Sequence, residues 1–325
     1  MSVRETWLIT GGAGYIGSHV AELLLENKYE IVILDSLING LESRILFLEE
    51  LFNKKIPFVR MDIRNSAAIE TLLRKHNVSG VVHLAALKSV SESMEFEKEY
   101  LEVNHIATKN LVEVLRKLGI QKLVNSSTAA VYESPKDSAL MSEDQNLGPI
   151  SPYGVSKMLA ELEVNKFLML KENSGTSLRF FNVIGTSSIE LSDKSVDNLV
   201  PIVINQIKLG ERPVIFGNSY PTSDGTCLRD FVDVRDVARA HLSVMQCTNK
   251  LPLALNVGTG RGNTVLETIR VILNCLGKQE AEISIGERRS GDIAVACADV
   301  SLIKSVTGFQ SHFTLEQSIK SLLVK

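Results

Sequence analysis

Tyr153 and Lys157 stand four residues apart in Tyr153-Gly154-Val155-Ser156-Lys157. On a helix that spacing puts both side chains on one face, one turn apart. A phenol that ionises near pH 10 becomes a usable base near neutrality only when its phenolate is stabilised, and an adjacent ammonium does that. Ser126-Ser127-Thr128-Ala129-Ala130 adds hydroxyls, one of which could share a proton with Tyr153. Taken singly, a Tyr-x-x-x-Lys string arises often by chance as two unrelated surface residues, and the hydroxyls read equally as loop chemistry.

Gly11-Gly12-Ala13-Gly14-Tyr15-Ile16-Gly17 lies between an apolar strand candidate, Thr6–Thr10, and an amphipathic helix pattern from Tyr15 to Glu26. Its glycines fall at 11, 14 and 17, a G-x-x-G-x-x-G spacing rather than G-x-G-x-x-G. The physics is shared: glycine allows a tight turn, and a pyrophosphate can approach backbone amides at the positive end of a helix. Asp35 ends the second strand candidate 18 residues after Gly17, close to the offset of a ribose-binding carboxylate. Its charge repels an extra 2′-phosphate and so favours NAD over NADP. Asp62-Ile63, after the third strand candidate, offers an adenine contact, with a capping role for Asp62 as the alternative. A cationic nicotinamide held at such a site would add to the stabilisation of a Tyr153 phenolate.

These residues need a sheet to carry them. Strand candidates Glu30–Asp35, Ile56–Arg60, Gly80–Leu84, Lys122–Ser126 and Ser177–Phe181 alternate with helical patterns at Leu41–Leu51, Ser66–Lys75, Glu97–Leu118 and Pro152–Asn173. Strands that are apolar on nearly every residue suit a parallel sheet covered on both faces. The alternation predicts an α/β fold, a Rossmann-type doubly wound parallel sheet, with Ser126–Ala130 at the carboxyl edge where ligands bind. Beyond Phe181 the pattern loosens. Residues 186–196 read as loop, followed by helix Asn198–Leu209, strand Val214–Phe216, turn Tyr220–Gly225, helix Val234–Cys247, strand Leu255–Val257 and helix Val265–Leu276. We expect residues 1–182 to form a nucleotide-binding domain, with a later return around 230–257, and residues 183–325 a smaller α/β substrate-binding domain.

The 325 residues are 44% hydrophobic and 22% charged, values of an ordinary globular chain long enough to bury a large core. Thirty-five basic against 38 acidic residues leave a net charge of −3, too balanced to draw nucleic acid or an acidic membrane by bulk electrostatics. No apolar run approaches the roughly 20 residues that span a bilayer, and Met1–Thr10 lacks a secretory layout. Cys227, Cys247, Cys275 and Cys297 form no C-x-x-C pair and read as reduced thiols of a cytoplasmic protein. The six histidines show no metal-ligand spacing, so no metal is expected, and His83, inside an apolar strand, reads as a core histidine.

Several longer strings carry a resemblance. They are Thr10-Gly11-Gly12-Ala13-Gly14-Tyr15-Ile16-Gly17-Ser18-His19, Asp62-Ile63-Arg64-Asn65, Leu87-Lys88-Ser89-Val90-Ser91-Glu92-Ser93 and Ser151-Pro152-Tyr153-Gly154, then Tyr220-Pro221-Thr222-Ser223-Asp224-Gly225-Thr226-Cys227-Leu228-Arg229-Asp230 and Asn256-Val257-Gly258-Thr259-Gly260. Over essentially the whole chain they resemble the extended short-chain dehydrogenase/reductase family and, within it, the UDP-glucose 4-epimerases. The resemblance implies that Tyr153, as phenolate, takes the proton of a sugar 4-hydroxyl while hydride leaves carbon 4 for a tightly held NAD, that Lys157 lowers the Tyr153 pKa and binds the nicotinamide ribose, and that Thr128 is the catalytic hydroxyl. By the same matching Gly11, Gly14, Tyr15, Ile16, Asp35, Ser36, Asn39, Asp62, Ile63, Leu84, Ala85, Ala86, Lys88, Asn104, Ser126 and Phe180 would line the cofactor. Lys88, Asn182, Asn198, Leu199, Val214, Phe216, Arg229, Arg289 and Asp292 would meet the UDP-sugar, the arginines through its diphosphate. Ala296 matches a position whose bulk limits room at the sugar's 2-substituent, and alanine would leave space for an N-acetyl group.

The chain departs from the family pattern at Ser36, Glu133, Asp233 and the stretch Asn182-Val183-Ile184-Gly185-Thr186 with the loop after it, which leaves the sugar open. The Met and Leu stripe Met158–Leu170 fits a buried helix face or, alternatively, a subunit interface, and the resemblance implies a homodimer. Rival readings are a nucleotide-sugar dehydratase or decarboxylase, a UDP-glucuronate 4-epimerase, and a non-catalytic NAD-sensing protein. Ala129 and Ala130 supply no acid or base after Thr128, which argues against dehydration. Retention of Tyr153, Lys157 and Thr128 argues against a sensor.

Overall fold

Thr6–Thr10 (β1) and Glu30–Asp35 (β2) are buried on nearly every residue, so each needs cover on both faces. Trp7 and Ile9 point into one apolar layer, Leu8 into the other. The computed structural model describes residues 5–134, 140–195, 198–289 and 292–323. Between and after the first strands come α1 (Tyr15–Glu26), α2 (Glu42–Leu51), β3 (Phe58–Arg60), α3 (Ser66–Lys75) and β4 (Gly80–His83). Two short helices follow, α4 (Val90–Ser93) and α5 (Glu97–Tyr100), then a π-helical turn Leu101–Ile106 that runs into α6 (Ala107–Leu118). Next are β5 (Lys122–Thr128), α7 (Pro152–Leu168), β6 (Ser174–Phe180) and β7 (Asn182–Ile184). The remainder holds α8 (Leu199–Lys208), β8 (Val214–Phe216), β9 (Leu228–Asp233), α9 (Val234–Gln246), β10 (Ala254–Val257), β11 (Gly262–Thr264), α10 (Val265–Cys275), β12 (Ser284–Gly286), β13 (Val295–Ala296), α11 (Ser301–Thr307) and α12 (Leu315–Ser321).

Seven strands form one parallel sheet in the order β10-β6-β5-β4-β1-β2-β3. The chain order reverses beside β1, so the glycine turn after β1 opens at the crevice where such sheets bind ligands. This is the expected Rossmann-type fold. One face is covered by α1 and α9, the other by α3, α6 and α7. The later segment contributes α9 and β10 to this first unit, where β10 pairs with β6.

The second unit is smaller. β9 runs beside β7 and β13 in parallel and β11 antiparallel, β8 pairs with β12, and α8, α10 and α12 share an apolar core. Asp230 ties its pieces together. The buried carboxylate accepts from Thr259 N at 2.8 Å, Thr259 Oγ1 at 2.6 Å, Gly260 N at 3.0 Å and Ala298 N at 3.2 Å. The Arg229-Asp230 and Asn256–Gly260 strings are thus joined by one carboxylate, which sets β9 beside β13.

Several boundaries differ from the sequence reading. The stretch Glu97–Leu118 is broken by its π turn, and the helix from Pro152 stops at Leu168, where Asn173 instead folds back to donate to the Phe167 carbonyl. β7, β11, β12 and β13 are two or three residues long and find partners far along the chain, so no local period announces them.

Candidate active site

A cavity of about 930 Å³ opens over the carboxyl edge of the sheet at β1, β2 and β4. Gly11, Gly14, Tyr15 and Ile16 form one wall, Asp35, Ser36 and Asn39 the next, and Asp62, Ile63, Leu84, Ala85, Ala86 and Lys88 the far side. Ser126, Tyr153, Lys157 and Phe180 close the end nearest β5 and β6. The glycines are sterically enforced. A Cβ on Gly17 would lie 2.1 Å from the Gly11 carbonyl oxygen, and Gly11 has φ +72° with Ala85 N 2.8 Å from its notional Cβ. Gly14 caps α1 with no side chain, so the helix start presents backbone donors to the cavity.

Asp35 is buried. Its carboxylate accepts from Ala13 N at 3.0 Å and Leu37 N at 2.8 Å, which fixes it at the end of β2, while burial raises its pKa. Asp62 accepts from Arg64 N at 2.8 Å and pairs with the Arg64 guanidinium at 2.6 Å, which holds its pKa down, while the cap of α3 is Asn65. Asn104 is not among the residues that line this cavity. Its side chain lies off the cavity and is spent on Leu87 N at 2.8 Å, Leu87 O at 3.0 Å and Ser156 Oγ at 3.0 Å, so it shapes the Leu84–Lys88 segment rather than lining it.

Tyr153 and Lys157 lie one turn apart at the start of α7, where Ser151 Oγ accepts from Gly154 N at 3.1 Å and sets the helix entry. Burial raises the Tyr153 pKa, and the nearby Thr128 hydroxyl opposes it. Thr128 Oγ1 accepts from Ala130 N at 3.2 Å, which leaves its proton free for the phenol. Lys157 is buried, and desolvation lowers its ammonium to about 8 against the pull of Glu161. Glu161 in turn pairs inside the core with Arg179 and accepts from Ser127 Oγ at 2.7 Å. Arg179 donates to Tyr132 Oη at 2.9 Å, and Tyr132 to Asn256 Oδ1 at 2.6 Å. This brace behind Thr128 had no signal in the sequence, because its members are scattered over four elements and the segment that carries Tyr132.

The loop after Gly185 reaches back over the cavity, and Asp193, Lys194 and Ser195 join its lining. Tyr15 Oη donates to Gly185 O at 2.6 Å. Arg44, buried in α2, donates to Ala13 O at 3.1 Å and to Ser192 O at 2.7 Å. Asp193 lies 3.8 Å from Lys88 and accepts from Asn198 Nδ2 at 2.6 Å; burial works to raise its pKa, but Lys88, Ser195 and Asn198 leave it lowered. Asn198 therefore holds this loop with its side chain and stands at the N-cap of α8 without a side-chain capping bond, the first helical residue being Leu199. Arg44 and Asp193 were missed as site residues, each being a lone charge in an unremarkable stretch.

Of the expected sugar-nucleotide residues, Asn182 is exposed at the start of β7, and Val214 and Phe216 lie on β8. Arg289 stacks 4.0 Å over the Phe216 ring, and Arg288 4.2 Å over Tyr220. Arg229 donates to the carbonyls of Leu228 and Ile293, each at 2.9 Å, and lies 3.5 Å from Asp292. Ala296 is opposite Arg229 in the β9–β13 register, packed in the cluster of Phe181 and Tyr132. The second unit thus gathers Phe216, Arg229, Arg289 and Asp292, whereas Ser290 and Gly291 of the same string lie outside the described residues.

The first unit fits a dinucleotide on its own evidence: glycines that admit no side chain, an uncapped helix start, and a buried Ser126 hydroxyl without a protein partner. It defines a nucleotide-binding enzyme of the Tyr–Lys type. Residues 7–258 match the NAD dependent epimerase/dehydratase family, and the chain belongs to that family. Within it the chain is 36% identical over 320 residues to the UDP-glucose 4-epimerase of Bacillus subtilis, with 95% of this chain and 93% of that protein covered. Among solved structures it is similar to the UDP-glucose 4-epimerase of Stenotrophomonas maltophila with bound NAD and formylated UDP-arabinopyranose, at TM-score 0.92 and 32% identity over 98% and 97% of the two chains. It is also similar to the UDP-Glc/GlcNAc 4-epimerase of Campylobacter jejuni, at TM-score 0.85 and 33% identity over 98% of each.

Proposed function

We propose that this chain is a UDP-glucose 4-epimerase that inverts carbon 4 of a UDP-hexose through a transient 4-keto sugar. The observation that carries the reading is Tyr153, one helical turn from the buried Lys157 and near the Thr128 hydroxyl, at the end of a dinucleotide-shaped cavity. NAD, when bound, supplies the hydride acceptor at carbon 4 and afterwards the donor. The glycine turn and the start of α1 would hold its pyrophosphate, Asp35 its adenosine ribose, and Lys157 with Ser126 its nicotinamide end. Tyr153, as phenolate, takes the 4-hydroxyl proton and returns it to the same oxygen after the sugar has presented its other face. Lys157 stabilises that phenolate by its charge, and the Thr128 proton by hydrogen bonding.

On this reading residues 1–182, with the return at 230–257, serve NAD, and residues 183–325 serve the UDP-sugar. Arg229 and Arg289 offer planar forks to the diphosphate. Ala296, small and packed against Phe181, supports turnover of UDP-N-acetylhexosamines as well. Incubation with separate UDP-galactose and UDP-N-acetylgalactosamine, without added NAD, tests both statements: 4-epimers should appear from each. A pentose or keto-sugar product would overturn the reaction, and inert UDP-N-acetylgalactosamine would remove the wider specificity.

Pairing into a homodimer is supported by the exposed apolar side chains Met94, Phe96, Ile106, Leu162 and Met169, on or beside α4, α5, the π turn and α7, which pack on one another. Four free thiols suit the reducing cytoplasm. No helix of the described residues is long and apolar enough to cross a membrane.

A further inference from the structure

His83 ends β4, is 2% exposed, and has no part in the chemistry above. Its ring nitrogens meet two hydroxyls, Thr10 Oγ1 at 2.7 Å from Nδ1 and Thr108 Oγ1 at 2.8 Å from Nε2. The direction of each bond follows from the groups at the ends. Thr108 donates to the Asn104 carbonyl at 2.6 Å, a group that can only accept, so Thr108 receives the Nε2 proton of His83. Burial, with Lys157 nearby, keeps the imidazole neutral by lowering its pKa to about 3. Nδ1 therefore accepts, and the Thr10 hydroxyl donates to it. Thr10 Oγ1 itself accepts from Leu84 N and Ala85 N, each at 3.2 Å.

Beyond Asn104 the line continues to the base. Asn104 Nδ2 donates to Ser156 Oγ at 3.0 Å, and Ser156 donates to the Tyr153 carbonyl at 2.7 Å. One end of this line is the residue before Gly11, beside two walls of the dinucleotide cavity; the other is the backbone of Tyr153. Between them lies the π-helical turn that carries Asn104, an irregularity common at functional sites.

We propose that His83 is a positioning residue: by bridging Thr10 and Thr108 it locks the π turn and, through Asn104 and Ser156, sets Tyr153 against the cofactor-cradling turn. The proposal rests on the epimerase reading of the site. Misplacing a reacting group by an ångström costs on the order of 100-fold in rate, so the network should act on turnover more than on binding.

Thr108→Val keeps the shape of Thr108 and removes its hydroxyl, Thr108→Ser restores the hydroxyl, and His83→Phe cuts the same link one residue earlier. In the NAD-containing enzyme with UDP-galactose, Thr108→Val should lower kcat by about 10- to 100-fold. KM and NAD content should stay within about two-fold, the signature of an interaction realised in the transition state. Thr108→Ser should recover most of the loss, and His83→Phe with Thr108→Val should be no slower than the worse single variant. A folded Thr108→Val enzyme with wild-type kcat overturns the proposal. So does a joint loss of kcat, NAD and thermal stability that serine does not repair, since that marks packing alone. Should His83→Phe fail to fold, the valine and serine pair decides. An inactive wild type would sink the epimerase reading itself, whereas an active wild type beside an equally active Thr108→Val removes only the positioning role.

Discussion

Burial acts on Tyr153 and Lys157 in opposite senses, raising the phenol and lowering the ammonium to about 8. Neutral phenol beside ammonium is the state this favours near pH 7, and the phenolate must come from added positive charge and from Lys157 itself. Activity should rise with pH as Tyr153 loses its proton. In Lys157→Ala the phenolate loses its partner, so the acid limb of the kcat profile should move to higher pH by about a unit or more; an unmoved limb would show that the ammonium does not support the base. Tyr153→Phe should lose about 10²- to 10⁴-fold in kcat, with NAD retained as measured by its absorbance after denaturation. Full activity in that variant would assign the proton to another group. These residues were legible because a four-residue spacing and a glycine turn are local signals. What the sequence did not announce is that the Asn104 side chain bonds Leu87 and Ser156, partners 17 and 52 residues away.

At the scale of elements, the strands and helices of the first sheet could be read from apolar runs, since both faces of a parallel sheet are buried. The π turn could not, because Leu101–Ile106 keeps a helical pattern and only the partners of Asn104 and Thr108 explain its register. The loop after Gly185 was equally opaque. Besides Asn198 and Tyr15, Arg44 holds it, with a guanidinium that spans the glycine turn and the Ser192 carbonyl. Removing it leaves both carbonyls without that donor, a loss of roughly 1.5–3 kcal/mol for each hydrogen bond to a charged group. Arg44→Ala should therefore release the loop: limited proteolysis should cut within residues 186–195 several-fold faster, and NAD should leave the protein faster on dialysis. Unchanged cleavage and unchanged NAD loss would show that the loop is held elsewhere.

For the molecule as a whole, a net charge of −3 does not prevent binding of two diphosphates, because the donors are placed locally. On the proposed reading, helix amides at Gly14 would serve the first, and Arg229 and Arg289 the second. The exposed apolar residues argue for a pair of chains. Leu162→Glu combined with Met169→Glu should turn a dimer into a monomer by light scattering, and a wild type that is monomeric at micromolar concentration would contradict the interface. The central claim is that hydride leaves and returns to the same carbon within one site. UDP-galactose deuterated at carbon 4, incubated with the protein as purified, tests it most directly. The account predicts UDP-glucose that keeps its deuterium at carbon 4, without net NADH; deuterium lost to solvent, or a sugar left oxidised, would contradict it.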